Sequence, residues 1–276
     1  MSFALFEVLC VVVIVATLGA MSRSQPVVTL LRDYAVLAVA AWIGEETCVA
    51  LYRFYAYAPG WHLHVDRVPI LVPLIWPLVV LSAREVAAVV VRSASPIRHA
   101  TVAGAIVAFD ASLVEVVAVR ANLWSWSERG HLGVPLIGIL GWGWFAAGAL
   151  ASKQRTFAVV VGPLVAHGGI QAMWWLCFRW VLRGELGAYG FVPIGAASLA
   201  FAVVAVRSRL AGRAMTPSIW GPRVLAAVLF VGLLVATAPR DGALWLHVAL
   251  VAVPYLALTS VRDTRSSRRA SVSSGP

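Results

Sequence analysis

Five acidic residues stand inside or beside long apolar runs of this 276-residue chain: Glu7, Glu45, Glu46, Asp110 and Glu115. An ionisable group at the middle of a membrane helix costs about 2.5–3.5 kcal/mol on insertion scales, so it is rarely kept without a task. Two tasks are open. Acids gathered in a dry pocket keep a neutral carboxylic acid available as a proton donor, the tool needed to protonate an isolated carbon–carbon double bond. Alternatively, they pair with Arg53, Arg84 or Arg120 and lock helices together. Glu7 lies close enough to a span end to be hydrated and is set aside. Glu46 has Arg53 seven residues on, on the same helical face. Asp110 and Glu115 are five residues apart, a rotation of about 500°, so they are offset by roughly 140° and need not face one cavity.

Around these acids lie two dense aromatic runs. The first is Tyr52, Arg53, Phe54, Tyr55, Tyr57, Trp61, His62, His64 and Asp66; the second is Asn122, Trp124, Trp126, Glu128 and His131. An interfacial belt accounts for such residues, but aromatic faces lining a pocket also stabilise positive charge developing on carbon, by about 0.5–2 kcal/mol each. His62, His64 and Asp66 lack a third clear ligand, and Cys10, Cys48 and Cys177 form no CxxC pair, so neither a metal site nor a disulfide framework is expected.

The elements that must hold these residues are membrane helices. The chain is 61% hydrophobic and 12% charged, with a mean hydropathy of +0.87, whereas soluble chains carry about a quarter charged residues. An all-α, polytopic transmembrane helix bundle is therefore expected. Nine apolar runs are long enough: 3–21, 33–52, 68–91, 99–119, 132–152, 156–178, 190–208, 222–239 and 243–260. The last two are parted only by Pro239 to Gly242, so eight spans is the alternative count. The first run has Glu7 within it and Arg23 after it, the reverse of a secretory signal, and is read as a retained span. With the N-terminus outside and nine crossings, 21 of the 22 Lys and Arg residues split fourteen inside to seven outside, with Arg84 within a span. That orientation puts Glu46 and Glu115 at similar depth in the outer half of the membrane. Residues 1–260 are expected to form one membrane domain and 261–276 a disordered basic cytoplasmic tail. Pro69, Pro73 and Pro77, spaced by four, are expected to distort one face of the third span, and Gly143, Ala147 and Ala151 offer a small-residue track for close packing.

Both aromatic runs carry motifs. Tyr55-x-Tyr57, Gly60 and Val68-Pro69-x-x-Val72-Pro73-Leu74-x-Trp76 form the first. An acid in span four, then Leu123-Trp124-x-Trp126, Gly130, Gly133-Val134-Pro135-Leu136 and Gly141-Trp142 form the second. Together they resemble the bacterial and archaeal integral-membrane carotenoid biosynthesis family that includes the bisanhydrobacterioruberin and carotenoid 1,2-hydratases, over roughly residues 42 to 145. The resemblance implies addition of water across a terminal isoprenoid double bond: protonation by a carboxylic acid, a tertiary cation cradled by aromatics, and capture by water held on a second acid. Glu46, Asp110 and Glu115 are the expected catalytic residues, and Glu45, Arg53, Tyr55, Tyr57, Trp76, Asn122, Trp124, Trp126 and Trp142 the expected substrate-binding ones. No cofactor is needed, and the partners are a lipophilic isoprenoid and membrane lipid, not nucleic acid. The family pattern has two aspartates four apart followed by proline, where this chain has Asp110 and Glu115 five apart and Val116; its amide after the G-V-P-L run is Gly138 here. If water were excluded, an internal alkene would capture the same cation, so a proton-initiated terpene cyclase is the nearest alternative. A transporter using intramembrane acids is the contrasting class; His167 and Gln171, one turn apart, fit either class.

Overall fold

The apolar runs fold as nine α-helices in a computed structural model that describes residues 2–93, 95–152, 154–178 and 187–259. They are α1 (Phe3–Met21), α2 (Val27–Tyr52), α3 (Leu71–Val90), α4 (Pro96–Arg120), α5 (Leu136–Ala151), α6 (Ala158–Met173), α7 (Phe191–Leu210), α8 (Pro217–Thr237) and α9 (Gly242–Leu258). Among the described residues, seven segments are long and apolar enough to cross a membrane, while α5 and α9 are apolar but shorter, at 16 and 17 residues. The expected basic tail lies outside the described residues.

Local chemistry sets the helix ends. Ser95 caps α4 by accepting the Arg98 N–H, Pro96 fills the first helical position, and Asp241 caps α9 by accepting the Leu244 N–H at 3.1 Å. The Asp241 cap separates α8 from α9, so among the described residues the last two runs are two helices. At the other end of α4, Asn122 adopts φ 58°, its N–H bonds Val119 O, and the Leu123 N–H reaches back to Ala118 O. That is a Schellman stop, in which the left-handed position favours Asn.

Among the boundaries that differ from the sequence-based expectation, three have an electrostatic or backbone reason. Helix α2 begins at Val27, six residues early, because the charge of Asp33 is buried against Arg84, at 3.3 Å, and Arg155, at 3.4 Å. Helix α3 begins at Leu71, because Val68–Pro69 (β3) pairs antiparallel with His64–Val65 (β2) in the preceding turn. Of the three prolines, Pro69 therefore lies before the helix, Pro73 in its first turn and Pro77 alone in its interior. Helix α5 begins at Leu136, because Leu132 and Gly133 both take positive φ in a turn that a helix cannot contain.

Successive helices run in opposite directions. At one end, Phe3 packs on Trp61, Trp174 on Phe54, and Phe191 on His131, and Arg120 of α4 pairs with Asp241. At the other end, the Met215 N–H bonds Leu258 O and Arg213 bonds Val89 O. The chain thus enters at the aromatic end and α9 finishes at the opposite end. Helices α3 and α4 form the buried middle. There α4 and α5 approach closely: a Cβ on Gly104 would lie 2.6 Å from Gly143 O, and one on Gly143 would lie 2.9 Å from the Ala108 methyl. The small-residue track is a packing surface, as its composition implies.

Candidate active site

The two aromatic motifs, nearly seventy residues apart in sequence, pair with each other. Tyr55–Tyr57 (β1) and Trp124–Trp126 (β4) form an antiparallel ladder in the register Tyr55↔Trp126, Ala56↔Ser125, Tyr57↔Trp124. Side chains alternate along a strand, so Y-x-Y and W-x-W place all four rings on one face, while Ala56 and Ser125 are exposed on the other. Ring centroids are 4.7 Å apart for Tyr55 and Trp126 and 5.9 Å for Tyr57 and Trp124. The ladder is held by Ser127 N–H and Ala58 N–H, which donate to Phe54 O and Leu123 O respectively, and by the Trp61 indole, which also donates to Leu123 O.

Beneath this aromatic face lie two carboxyls. Glu45 of α2 is 6% exposed and accepts hydrogen bonds at Oε2 from the hydroxyls of both Tyr55 and Tyr57, the latter at 2.8 Å. Glu115 of α4 is 3% exposed and accepts the Trp124 indole N–H at 2.8 Å. The two acids are close enough to influence each other electrostatically. Burial first, and then the facing charge of Glu45, push the phenols of Tyr55 and Tyr57 well above their ordinary value, so both remain donors.

The acids and the four rings line one cavity together with Trp76 of α3 and Trp142 of α5, which stack with centroids 3.5 Å apart. No Lys, Arg or His is among the residues lining it. A Cβ at Gly138 would overlap the Trp126 ring, so glycine at this position leaves the space to that indole. The Trp126 Nε1 is buried, lines the cavity and has no hydrogen-bond partner among the described residues.

Eight of the expected site residues therefore come together: Glu45, Tyr55, Tyr57, Trp76, Glu115, Trp124, Trp126 and Trp142. Four lie elsewhere. Glu46, one residue and about 100° around α2 from Glu45, is ion-paired with Arg67 and also accepts the Arg67 backbone N–H at 3.1 Å, so it anchors the α2–α3 loop. Asp110 faces away from Glu115 across α4, bound to Arg223 and Tyr255. Arg53, at φ 53°, caps α2 and lines a shallow depression on the outside of the ladder. Asn122 is the helix stop described above. Glu7, set aside as hydrated, holds His62 by its backbone and ring nitrogens, both at 2.8 Å. His167 bonds Thr47 and Tyr52, each at 2.7 Å, whereas Gln171 is exposed.

In comparisons with known proteins, the family model described as "Carotenoid biosynthesis protein" matches residues 2–206. That range contains every residue of the cavity. No curated protein and no solved structure matched the chain.

Proposed function

The chain belongs to the carotenoid biosynthesis protein family, and from that premise we propose that it is a membrane enzyme that protonates a terminal isoprenoid double bond and adds water to it. One observation carries this reading above the others: four aromatic rings are laid by one strand ladder over two buried carboxyls, with no basic side chain lining the chamber. Of two neighbouring buried carboxyls without a cation, one is held as the neutral acid and one can ionise, and an aromatic wall stabilises a carbocation without capturing it.

The roles divide by hydrogen bonding. Two phenols donate to Glu45 Oε2, which suits it to carry negative charge and accept a proton; Glu115, approached by indole N–H groups, that of Trp124 at 2.8 Å, is the donor. The Glu115 proton adds to the less substituted alkene carbon, and the tertiary cation forms against the Tyr and Trp faces. A water oxygen bonds that cation and its proton passes to Glu45. Transfer from Glu45 back to Glu115 restores both acids, and the net change is one water added. The unpartnered Trp126 indole N–H is suited to hold that water, which favours hydration over ring closure. Glu46 and Asp110, both already paired with arginines, are assigned to structure.

The orientation follows from charge. Among the described residues, the end opposite the ladder carries Arg23, Arg32, Arg92, Arg98, Arg155, Arg207, Arg209 and Arg213, and the ladder end carries fewer, so we place the ladder outside. Reporter fusions at Ser2 and Pro276 are expected to mark opposite sides, with Pro276 cytoplasmic; the same side at both ends would refute nine crossings.

The reading is tested by analysing lipids from cells that make an acyclic, lycopene-type polyene, with and without this protein. A product heavier by one water is expected. An isomer of unchanged mass would indicate cyclisation, and an unaltered polyene pool, merely redistributed, would indicate transport.

A further inference from the structure

A second cavity, of about 320 Å³, opens on the opposite side of α4, between α1, α3, α8 and α9. Its walls are mainly apolar side chains such as Ile75, Leu78, Leu113, Phe230 and Val248, with one polar station around Asp110 and Arg223. There Arg223 donates to Asp110 Oδ1 and, at 3.0 Å, to Ser82 Oγ, and its guanidinium lies 4.2 Å from the centre of the Tyr255 ring. The Tyr255 hydroxyl donates to the same Asp110 oxygen. Among the described residues, Asp110 Oδ2 is buried without a hydrogen-bond partner, and so is the hydroxyl of Thr17, which lies on the α1 wall and is 3% exposed. Arg223 and Tyr255 lie beyond the residues matched by the family.

The geometry points to a binding site for a long-chain isoprenoid alcohol, its chain along the apolar walls and its hydroxyl at Asp110 and Thr17. A buried oxygen left unpaired costs as much as a lost hydrogen bond, so two of them on residues lining one cavity call for a partner. Oδ2 needs a donor, and Thr17 can give a proton to an acceptor; a single alcohol hydroxyl supplies both complements. A hydrocarbon supplies neither, and an ether or ketone supplies no donor. A phosphate headgroup is disfavoured, because Asp110 already neutralises Arg223 and no second cation lines the cavity. The site stands apart from the Glu45–Glu115 chamber and does not depend on what reaction occurs there.

The test is equilibrium binding to the full-length protein in lipid nanodiscs, using geranylgeraniol, its methyl ether and a hydrated acyclic polyene. The alcohol is expected to bind about tenfold more tightly than the ether, the worth of one buried hydrogen bond. Thr17→Val, which keeps the side-chain shape, is expected to lower alcohol affinity about five- to tenfold, and Asp110→Asn to lower it as well. Glu115→Gln is expected to leave it unchanged, so failure here is separable from failure of the hydratase reading. Tighter binding of the tertiary polyene alcohol identifies a reaction product as the occupant, and tighter binding of geranylgeraniol identifies a free isoprenoid alcohol. Equal binding of alcohol and ether, unaltered affinity in Thr17→Val, or loss of binding in Glu115→Gln would each overturn the proposal.

Discussion

Glu115→Gln is expected to abolish product formation while the protein still inserts and accumulates. The amide matches the carboxyl in volume, and its carbonyl oxygen still accepts the Trp124 indole N–H that Glu115 accepts at 2.8 Å. What it lacks is a proton acidic enough to give to an alkene. Removing a general acid costs about 10²–10⁴-fold in rate, and here the proton starts the reaction, so the loss belongs at the upper end. Turnover measured in isolated membranes, normalised to the amount of inserted protein, decides the point. Activity near that of the parent protein would remove Glu115 from the donor role.

Adjacent residues on α2 give the second large effect, through their contrast. Glu45→Gln is expected to lower turnover by about 10²-fold or more, since the amide cannot take the proton from water. Glu46→Gln is expected to leave turnover near the parent value and to weaken the attachment of the α2–α3 loop, because Glu46 faces Arg67 and not the cavity. Both variants would be compared for activity and for thermal unfolding in detergent. Loss of activity in Glu46→Gln with an intact Glu45→Gln would invert the assignment.

That contrast marks where the sequence was legible and where it was not. The helical class and the nine runs follow from hydropathy, and the Y-x-Y and W-x-W motifs mark the chamber wall because period-two spacing puts both rings of each motif on one face. The pairing of the two motifs into one ladder is long-range and carries no local signal. The choice between Glu45 and Glu46 turns on about 100° of helix rotation. A signal was present in the stripe Ala41, Gly44, Glu45 and Cys48, whose small side chains lie along the cavity face of α2. The partners of Asp110 and Glu46 were hidden for a different reason. Arg223 lies 113 residues from Asp110, and Arg67 sits in a loop whose path is set by tertiary contacts. Equally, Asp33 was missed as a buried charge because its arginine partners come from α3 and the α5–α6 connection.

The central claim is that this chamber delivers a proton to carbon and then a water oxygen to the cation. The most direct measurement is the mass of the product formed by membranes containing the protein in heavy-oxygen water and, separately, in deuterated water. The expected product gains the oxygen label in a new tertiary hydroxyl and one non-exchangeable deuterium on the neighbouring carbon. A product with deuterium but no solvent oxygen would contradict the account, because the cation would then have been quenched within the substrate.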